Sequence, residues 1–387
     1  MDEQNSILDK IIQSKQMQEA TQFDPNEIIF NLFKNLSNKE RDILNRRFGL
    51  ADKGKETLEQ IGKYYQITRE RIRQIETGTI KKLKEIKEFK DHIEVAERNV
   101  MRLLENHGGV MEENHLLDNL LAYSDASPSN RQASLFILSN LLDERINRIK
   151  GDDDVNPGWK LPSFSLDTLK LAIAELHGII DEKSQLLKTN ELLELFKGKE
   201  FYKNYQQNII NQKLNSETDE TATQGIDKII NSYLTISRKI NQNILGEWGL
   251  IDWNTVSPKR MGDKIYLILR KIGKPLHFNE ITDLINQTGF DKKVAYPATI
   301  HNELILDDRY ILVGRGIYAL KEWGYQSGTV IDIIIEILTK SPTPLAKDEI
   351  IKQVLDQRIV RKSTILLALT NKEKIKKLPD GRYTLNQ

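Results

Sequence analysis

The stretch Leu58–Leu83, LEQIGKYYQITRERIRQIETGTIKKL, sets the reading of this chain. Thr57 followed three positions later by Gln60 is a capping box and starts a first helix. Leu58, Ile61 and Tyr65 recur at helical spacing and face a core. Gly62 lets another backbone approach, and Ile67 packs at the turn. Thr68 is the expected N-cap of a second helix. In that helix Ile72, Ile75, Thr79 and Leu83 form the inward stripe. Arg69, Arg73 and Thr77 lie one turn apart on the opposite side, with Glu70, Arg71 and Gln74 beside them. The pattern predicts a helix-turn-helix. The N-terminal turn of such a second helix enters the DNA major groove, where an arginine donates twice to a guanine and a glutamate accepts from a cytosine amine. A solvated, salt-bridged helix face would use the same residue types, so the charge pattern alone leaves both readings open.

Around it stand LSNKERDILNRRFGL, from Leu36 to Leu50, and the basic KKLK that ends at Lys84. The whole resembles region 4 of the sigma-70 family of bacterial transcription initiation factors, from about Leu36 to Leu83. TRERIRQIE is the most specific run. The resemblance implies that Arg69, Glu70 and Arg73 read bases of a promoter element. It implies that Arg71 and Gln74 support backbone or neighbouring contacts, with Thr68, Thr77, Lys81 and Lys82 completing a DNA-binding set. Ser37 with Glu40 makes another capping box, and Ile43, Leu44 and Phe48 give the next helix its apolar face. In the family this half also grips the flap of the polymerase beta subunit. Ile28, Ile29, Leu32 and Phe33 are available for that contact, although packing within the domain is the simpler use. Complete sigma factors carry DNA-melting and clamp-binding domains upstream. Too few residues precede Leu36 to hold them, so the expectation is one borrowed DNA-reading module.

The 387 residues suffice for several small domains. Lysine plus arginine number 57 against 56 aspartates plus glutamates, so global charge does not advertise a nucleic-acid partner. Any such attraction is local, at Arg69–Arg73 and Lys81–Lys90. No cysteine is present, which excludes disulfide scaffolds, thiolate metal sites and thiol nucleophiles. The N-terminus MDEQNS is polar and acidic, with no apolar targeting core. The apolar stretch Val330–Leu338 is too short to span a membrane and contains Asp332 and Glu336. A soluble, cytoplasmic protein is expected.

A second signal is an internal repeat. Thr299 through Leu320 aligns without gaps to Thr364 through Leu385, and Pro275-Leu276 and Glu280-Ile281 match Pro344-Leu345 and Glu349-Ile350. Each copy reads as helix, short Pro-Leu segment, two helices, then two strands ending in G-x-Y-x-L, the layout of a winged helix. Gly314-Arg315-Gly316 and Pro379-Asp380-Gly381 punctuate the hairpins. The first copy, about 261–325, carries KPLHFNEITDLI, ATIHNELILDD and RYILVGRGIYALKEWGY. It resembles a HARE-type helix-turn-helix domain, the module also found in the delta subunit of Gram-positive RNA polymerase. Asn302, Lys292, Lys293 and Arg315 are placed for phosphates, while Asp307 and Asp308 oppose them, so DNA and protein remain even choices there. Lys372, Lys374, Lys376, Lys377 and Arg382 make the last hairpin more basic. A charged edge that blocks strand pairing also explains them, but nucleic acid is slightly favoured.

Between these lie less legible segments. Val95–Leu104 reads as an amphipathic helix continuing region 4. His107–Leu161 follows the winged grammar, with a helix at Gln132–Leu142 and a wing in RIKGDDDVNPGWKL. Leu166–Trp253 parses similarly, with a helix at Ile226–Ile240. Asn215–Gln224 is a polar, flexible insertion, and Trp248 and Trp253 are core anchors rather than base-stacking platforms. The expected division is 1–90, 91–163, 164–257, 258–325 and 326–387. The fold class is mainly α with small β wings, a string of helix-turn-helix and winged-helix modules.

HARE-type domains also occur on restriction endonucleases, so a nuclease is the rival class. Asp152, Asp153 and Asp154 are adjacent and precede a turn, and successive residues do not converge on one octahedral ion. The histidines show no metal-ligand spacing, and no phosphate loop or serine elbow occurs. The expectation is a non-enzymatic transcription regulator without metal or cofactor. Its partners are double-stranded DNA and core RNA polymerase. The alternatives are a delta-like accessory protein docking the beta flap without reading bases and, less favoured, a DNA-binding subunit of a restriction system.

Overall fold

The computed structural model describes residues 23–50, 54–204 and 219–386, with backbone only at 219–224. The N-terminal MDEQNS lies outside them, as does the first part, 215–218, of the polar stretch Asn215–Gln224. The remainder of that stretch is helical backbone. The architecture is mainly α with small antiparallel sheets, as the periodicities predict. No helix among the described residues is long and apolar enough to cross a membrane. The chain divides into two compact units, Met1–Asn241 and Gln242–Gln387.

The first unit opens with α1 (Pro25–Phe33), α2 (Asn38–Phe48), α3 (Leu58–Tyr65) and α4 (Arg69–Lys84). Asp24 caps α1 by accepting from the Asn26 and Glu27 amides. The expected capping boxes form at Ser37/Glu40 and Thr57/Gln60, and Thr68 accepts from the Arg71 amide at the start of α4. Each such cap is worth on the order of 1 kcal/mol. α2 ends on Gly49 in the left-handed conformation.

α5 (Phe89–Asn106) follows a break at Glu85–Glu88 and starts six residues before the expected Val95. Next come β1 (Val110–Glu112), α6 (Glu113–Leu120), α7 (Pro128–Phe136), β2 (Asn147–Ile149) and β3 (Gly158–Lys160). The helix expected at Gln132–Leu142 begins instead at Pro128, because Ser127 caps it with proline in the first turn, and it closes in a π turn at Ile137–Leu141. β3 lies between β1 and β2.

One core runs without a break across residue 90. Leu32, Phe33, Leu44 and Leu83 share it with Val100, Leu116, Phe136 and Trp159. The rings of Phe33 and Phe48 both meet Phe136 edge-on, at 6.0 and 4.8 Å. Asn26 donates to Asn130 Oδ1 at 2.6 Å, and the Ser124 hydroxyl donates to the Phe23 carbonyl at 2.6 Å. Ile29, Leu32 and Phe33 are therefore spent on packing.

The unit continues with α8 (Leu166–Lys183), β4 (Leu187–Lys188), α9 (Thr189–Gly198) and α10 (Asp219–Ile236). α10 is shifted from the expected Ile226–Ile240. It ends where the Ile236 carbonyl accepts from the Asn156 amide, and Ile240 already belongs to a strand. The buried Ser232 hydroxyl donates to the Val110 carbonyl at 2.6 Å, tying α10 to β1.

The boundary between the units falls within β5 (Ile240–Gln242), and β6 (Glu247–Leu250) follows. Trp248 is buried and Trp253 half-buried. The second unit then presents α11 (Met261–Ile272), β7 (Leu276–His277), α12 (Phe278–Thr288), α13 (Pro297–Leu306), β8 (Tyr310–Gly314) and β9 (Ile317–Leu320). The Pro-Leu segment is a strand: β7 pairs antiparallel with β9, which pairs with β8. Gly316 makes the hairpin turn possible, with φ +69° and His277 packed where a Cβ would stand.

The repeat recurs as α14 (Val330–Lys340), α15 (Lys347–Gln357), α16 (Lys362–Ala368), β10 (Ile375–Lys377) and β11 (Tyr383–Leu385). Here Leu345 forms only a bridge to Tyr383. The two copies keep separate cores, and the Ile359 amide donates to the Val313 carbonyl at 2.9 Å between them.

Candidate nucleic-acid interface

The helix-turn-helix is built on a small core of its own: Ile43 from α2, Ile61 from α3 and Ile72 from α4 are fully buried, with Leu58, Tyr65, Ile67 and Ile75 around them. The turn needs Gly62. A Cβ there would stand 2.8 Å from the Ile67 carbonyl oxygen and 3.5 Å from the Arg69 nitrogen. Gln66 takes the left-handed conformation, φ 55°, and lets α4 start with only three residues between it and the end of α3.

A polar clasp then fixes the angles between helices. Arg46 on α2 is held by Asp42 at 2.7 Å and Glu56 at 2.8 Å, and it stacks on the Tyr64 ring at 3.9 Å. Tyr65 donates its hydroxyl proton to Asp42 at 2.6 Å. Partial burial, with that carboxylate beside it, pushes the Tyr65 phenol up to about 12. Arg47 reaches Glu76 on α4 at 3.4 Å. The periodicity marks Tyr65 only as core-facing, and the roles of Asp42, Arg46, Arg47, Glu56 and Glu76 were missed in the sequence, although Asp42 and Arg46 stand one helical turn apart there.

On this frame Thr68, Arg69, Glu70, Arg71, Arg73, Gln74, Thr77, Lys81 and Lys82 are all exposed on α4. The buried stripe is Ile72, Thr79 and Leu83, with Ile75 half-covered. Glu70 grips Arg73 through both carboxylate oxygens, the guanidinium donating at 2.7–3.1 Å. That partner holds the Glu70 carboxyl below the usual carboxylate range. Arg71 donates to Gln74 at 3.1 Å. Arg69 lies at the first position of α4, where the amides not bonded within the helix also point outward. The set presents hydrogen-bond donors, one acidic acceptor and positive charge on a single exposed face.

Two of the expected residues have other engagements. Lys82 is bound to Glu40, the capping-box acid of α2, at 3.0 Å. Lys81 approaches Glu85 at 3.9 Å. Lys82 therefore serves the packing of α2 on α4, a role its sequence position does not show.

Residues 32–85 match the Sigma-70, region 4 family model. Over 58 residues the chain is 48% identical to the RNA polymerase sigma factor SigA of Microcystis aeruginosa, covering 15% of this chain and 14% of that protein. Over 49 residues it is 53% identical to the sigma factor SigA of Lactococcus lactis subsp. cremoris, covering 13% of this chain and 14% of that protein. The chain thus spans about a seventh of the length of the curated relatives it matches. The region 4 match contains α2, α3 and α4 and every exposed α4 residue named above.

The expected wing residues lie in the second unit on two separate hairpins. Arg315 is exposed at the β8–β9 turn. Lys376 and Lys377 are exposed on β10, opposite Thr384 and Tyr383, and Arg382 is fixed by Asp380 at 2.7 Å beside the turn. In the acidic run Asp152–Asp154 the two outer carboxylates are neutralised locally. Lys170 reaches Asp152 at 2.6 Å and Asp154 at 3.6 Å, and Lys239 reaches Asp154 at 2.6 Å. Lys170 and the backbone amides of Asp154 and Val155 hold the Asp152 carboxyl down at about 2. The run clasps the β2–β3 loop to α8 and to the segment after α10.

Proposed function

We propose that the chain is a DNA-binding transcription regulator. In this reading the first turns of α4 enter the major groove of promoter-like duplex DNA, and the region 4 segment brings the protein to bacterial RNA polymerase. The supporting observation is the exposed set Arg69, Glu70, Arg71 and Arg73 on a helix within the Sigma-70, region 4 match. Arg69 and Arg73 donate to base edges or phosphates, Glu70 accepts from a base amine, and Thr68 positions the helix start. The segments 91–163, 164–257, 258–325 and 326–387 act as diverged winged-helix modules around this head, without catalytic chemistry, metal or cofactor. The likeness of 261–325 to HARE-type domains belongs to the same reading.

The test is duplex selection from a random pool, followed by a salt titration of the selected site. Binding should weaken with salt at a slope of roughly −0.9 per phosphate neutralised. Arg69→Ala and Arg73→Ala should flatten the sequence preference. If both variants keep wild-type affinity and preference, α4 does not read bases.

A second reading, docking to polymerase without base recognition, is favoured by one feature. Phe30 on α1 is 64% exposed under Lys34, whose ammonium lies 4.8 Å from the ring. Co-purification with core polymerase that survives Arg69→Ala with Arg73→Ala, but is lost on Phe30→Ser, would select it.

A further inference from the structure

α13 occupies, in the first repeat, the position that α4 occupies in the helix-turn-helix, yet its exposed side is different in kind. The exposed positions of α13 are Pro297, Ala298, Thr299, Asn302, Ile305 and Leu306, none of them charged. Leu306 is 81% exposed and Ile305 61%, and the run into the helix adds Val294 and Tyr296, each more than 60% exposed. Isolated exposed apolar residues are ordinary, but four large ones on a single helix and the run into it mark a contact surface. A surface without a single cation is a poor match for phosphates.

The charges stand at its ends. Lys292 and Lys293 precede α13, and Asp307 and Asp308 follow it. This is the reverse of what the helix dipole favours, which is acid at the start and base at the end. Asp307 has an internal use, holding Arg309 at 2.6 Å. No ion pair among the described residues engages Lys292 or Asp308. The ten residues of α13 span about 15 Å, so a neutral face runs between a basic end and an acidic end, with Val294 and Tyr296 near the first, Thr299 and Asn302 in the middle, and Ile305 and Leu306 at the second. A second copy laid antiparallel across this face meets base with acid at both ends, sets Val294 and Tyr296 of each chain toward Ile305 and Leu306 of the other, with Thr299 and Asn302 between, and opposes the helix dipoles. Such a two-fold contact is self-complementary.

We propose that α13 is the dimerisation surface of this protein, packing antiparallel against α13 of a second copy. Lys292 and Lys293 of each chain face Asp308 of the other. The contact is independent of whether α4 reads bases.

Sedimentation equilibrium of the full chain at increasing concentration tests it. Wild type should show twice the chain mass at micromolar concentrations, and Leu306→Glu should raise the dissociation constant at least about tenfold. Leu306→Ser should do the same more mildly. Both leave the core untouched, so their circular dichroism and melting temperature should stay at wild-type values. Reversing the basic end (Lys292→Asp with Lys293→Asp) or the acidic end (Asp308→Lys) should each weaken the dimer. Combining all three in one chain should restore it to within about threefold, because each reversed end meets its reversed counterpart. A chain that is monomeric at every concentration overturns the proposal. So does a dimer indifferent to Leu306→Glu, and a combined reversal weaker than either alone overturns the antiparallel arrangement.

Discussion

Glu70 and Arg73 are joined across one turn of α4, the two carboxylate oxygens accepting three hydrogen bonds from one guanidinium. Both side chains are more than half exposed, so the pair adds little to the stability of the fold. Its consequence is orientation: Glu70 takes the Nε and Nη2 edge of Arg73 on the exposed side of the helix, and the Nη1 edge is the one left to offer to a base or a phosphate. Arg73→Ala should leave the melting temperature unchanged and reduce discrimination at one base pair of the selected site roughly ten- to a hundredfold. Arg73→Lys should not rescue it, because an ammonium lacks the planar fork. Competition binding against single-base variants of the site measures both.

The turn of the helix-turn-helix is set by close approach of backbones rather than by side chains. Gly62→Ala places a methyl 2.8 Å from the Ile67 carbonyl oxygen. The expected cost is about 1–3 kcal/mol, read from urea denaturation. DNA binding should fall as well, since the same turn aims α4.

The region 4 segment does not carry its whole core. Phe136 on α7 is buried against Phe33 and Phe48. Phe136→Ala should destabilise the first unit by about 3–5 kcal/mol. A fragment ending at residue 90 loses that ring and should melt well below the full chain. Calorimetry of the two, together with the alanine variant, decides it.

Asp152 couples the first unit to acid. Its carboxyl titrates at about 2 in the folded chain, against about 4 for an unfolded aspartate. A folded pKa below the unfolded one contributes stability that is complete above about pH 4 and is lost as pH falls toward 2. Asp152→Asn should therefore flatten the fall in the urea midpoint over that window and lower the midpoint at neutral pH. A parallel pair of curves would show that the clasp to Lys170 does not matter for stability.

In the second unit Lys264 is 1% exposed and its ammonium lies 2.8 Å from Asp291, which joins α11 to the loop before α13. Removing the acid strands a buried cation, while replacing the cation by a similar apolar volume does not. Asp291→Asn should thus destabilise more than Lys264→Met, in thermal melts at neutral pH.

The local design of this protein was written in short-range sequence. Thr57 with Gln60, Ser37 with Glu40, and Thr68 before Arg69 specify where helices begin, because a cap is a contact between residues three apart. The stripe Ile61, Ile72 and Leu83 specifies which side of each helix turns inward. That leaves the arginines of α4 outside, whatever the rest of the chain does. The repeat announced its own order of helices and strands through glycines and alternation.

The tertiary structure decided what depends on partners distant in sequence. No local pattern shows that Phe136 completes the core beneath Phe33 and Phe48, or that Lys82 belongs to Glu40. The start of α5 and the end of α10 were misplaced for the same reason. The sequence shows amphipathic periodicity, but the stopping point of α10 is set by the Asn156 amide, eighty residues away, bonding to the Ile236 carbonyl. Hydrophobic periodicity fixes which face of an element is buried. Only packing fixes what it is buried against, since apolar contact is non-directional and acquires its specificity from the shapes that the whole chain brings together.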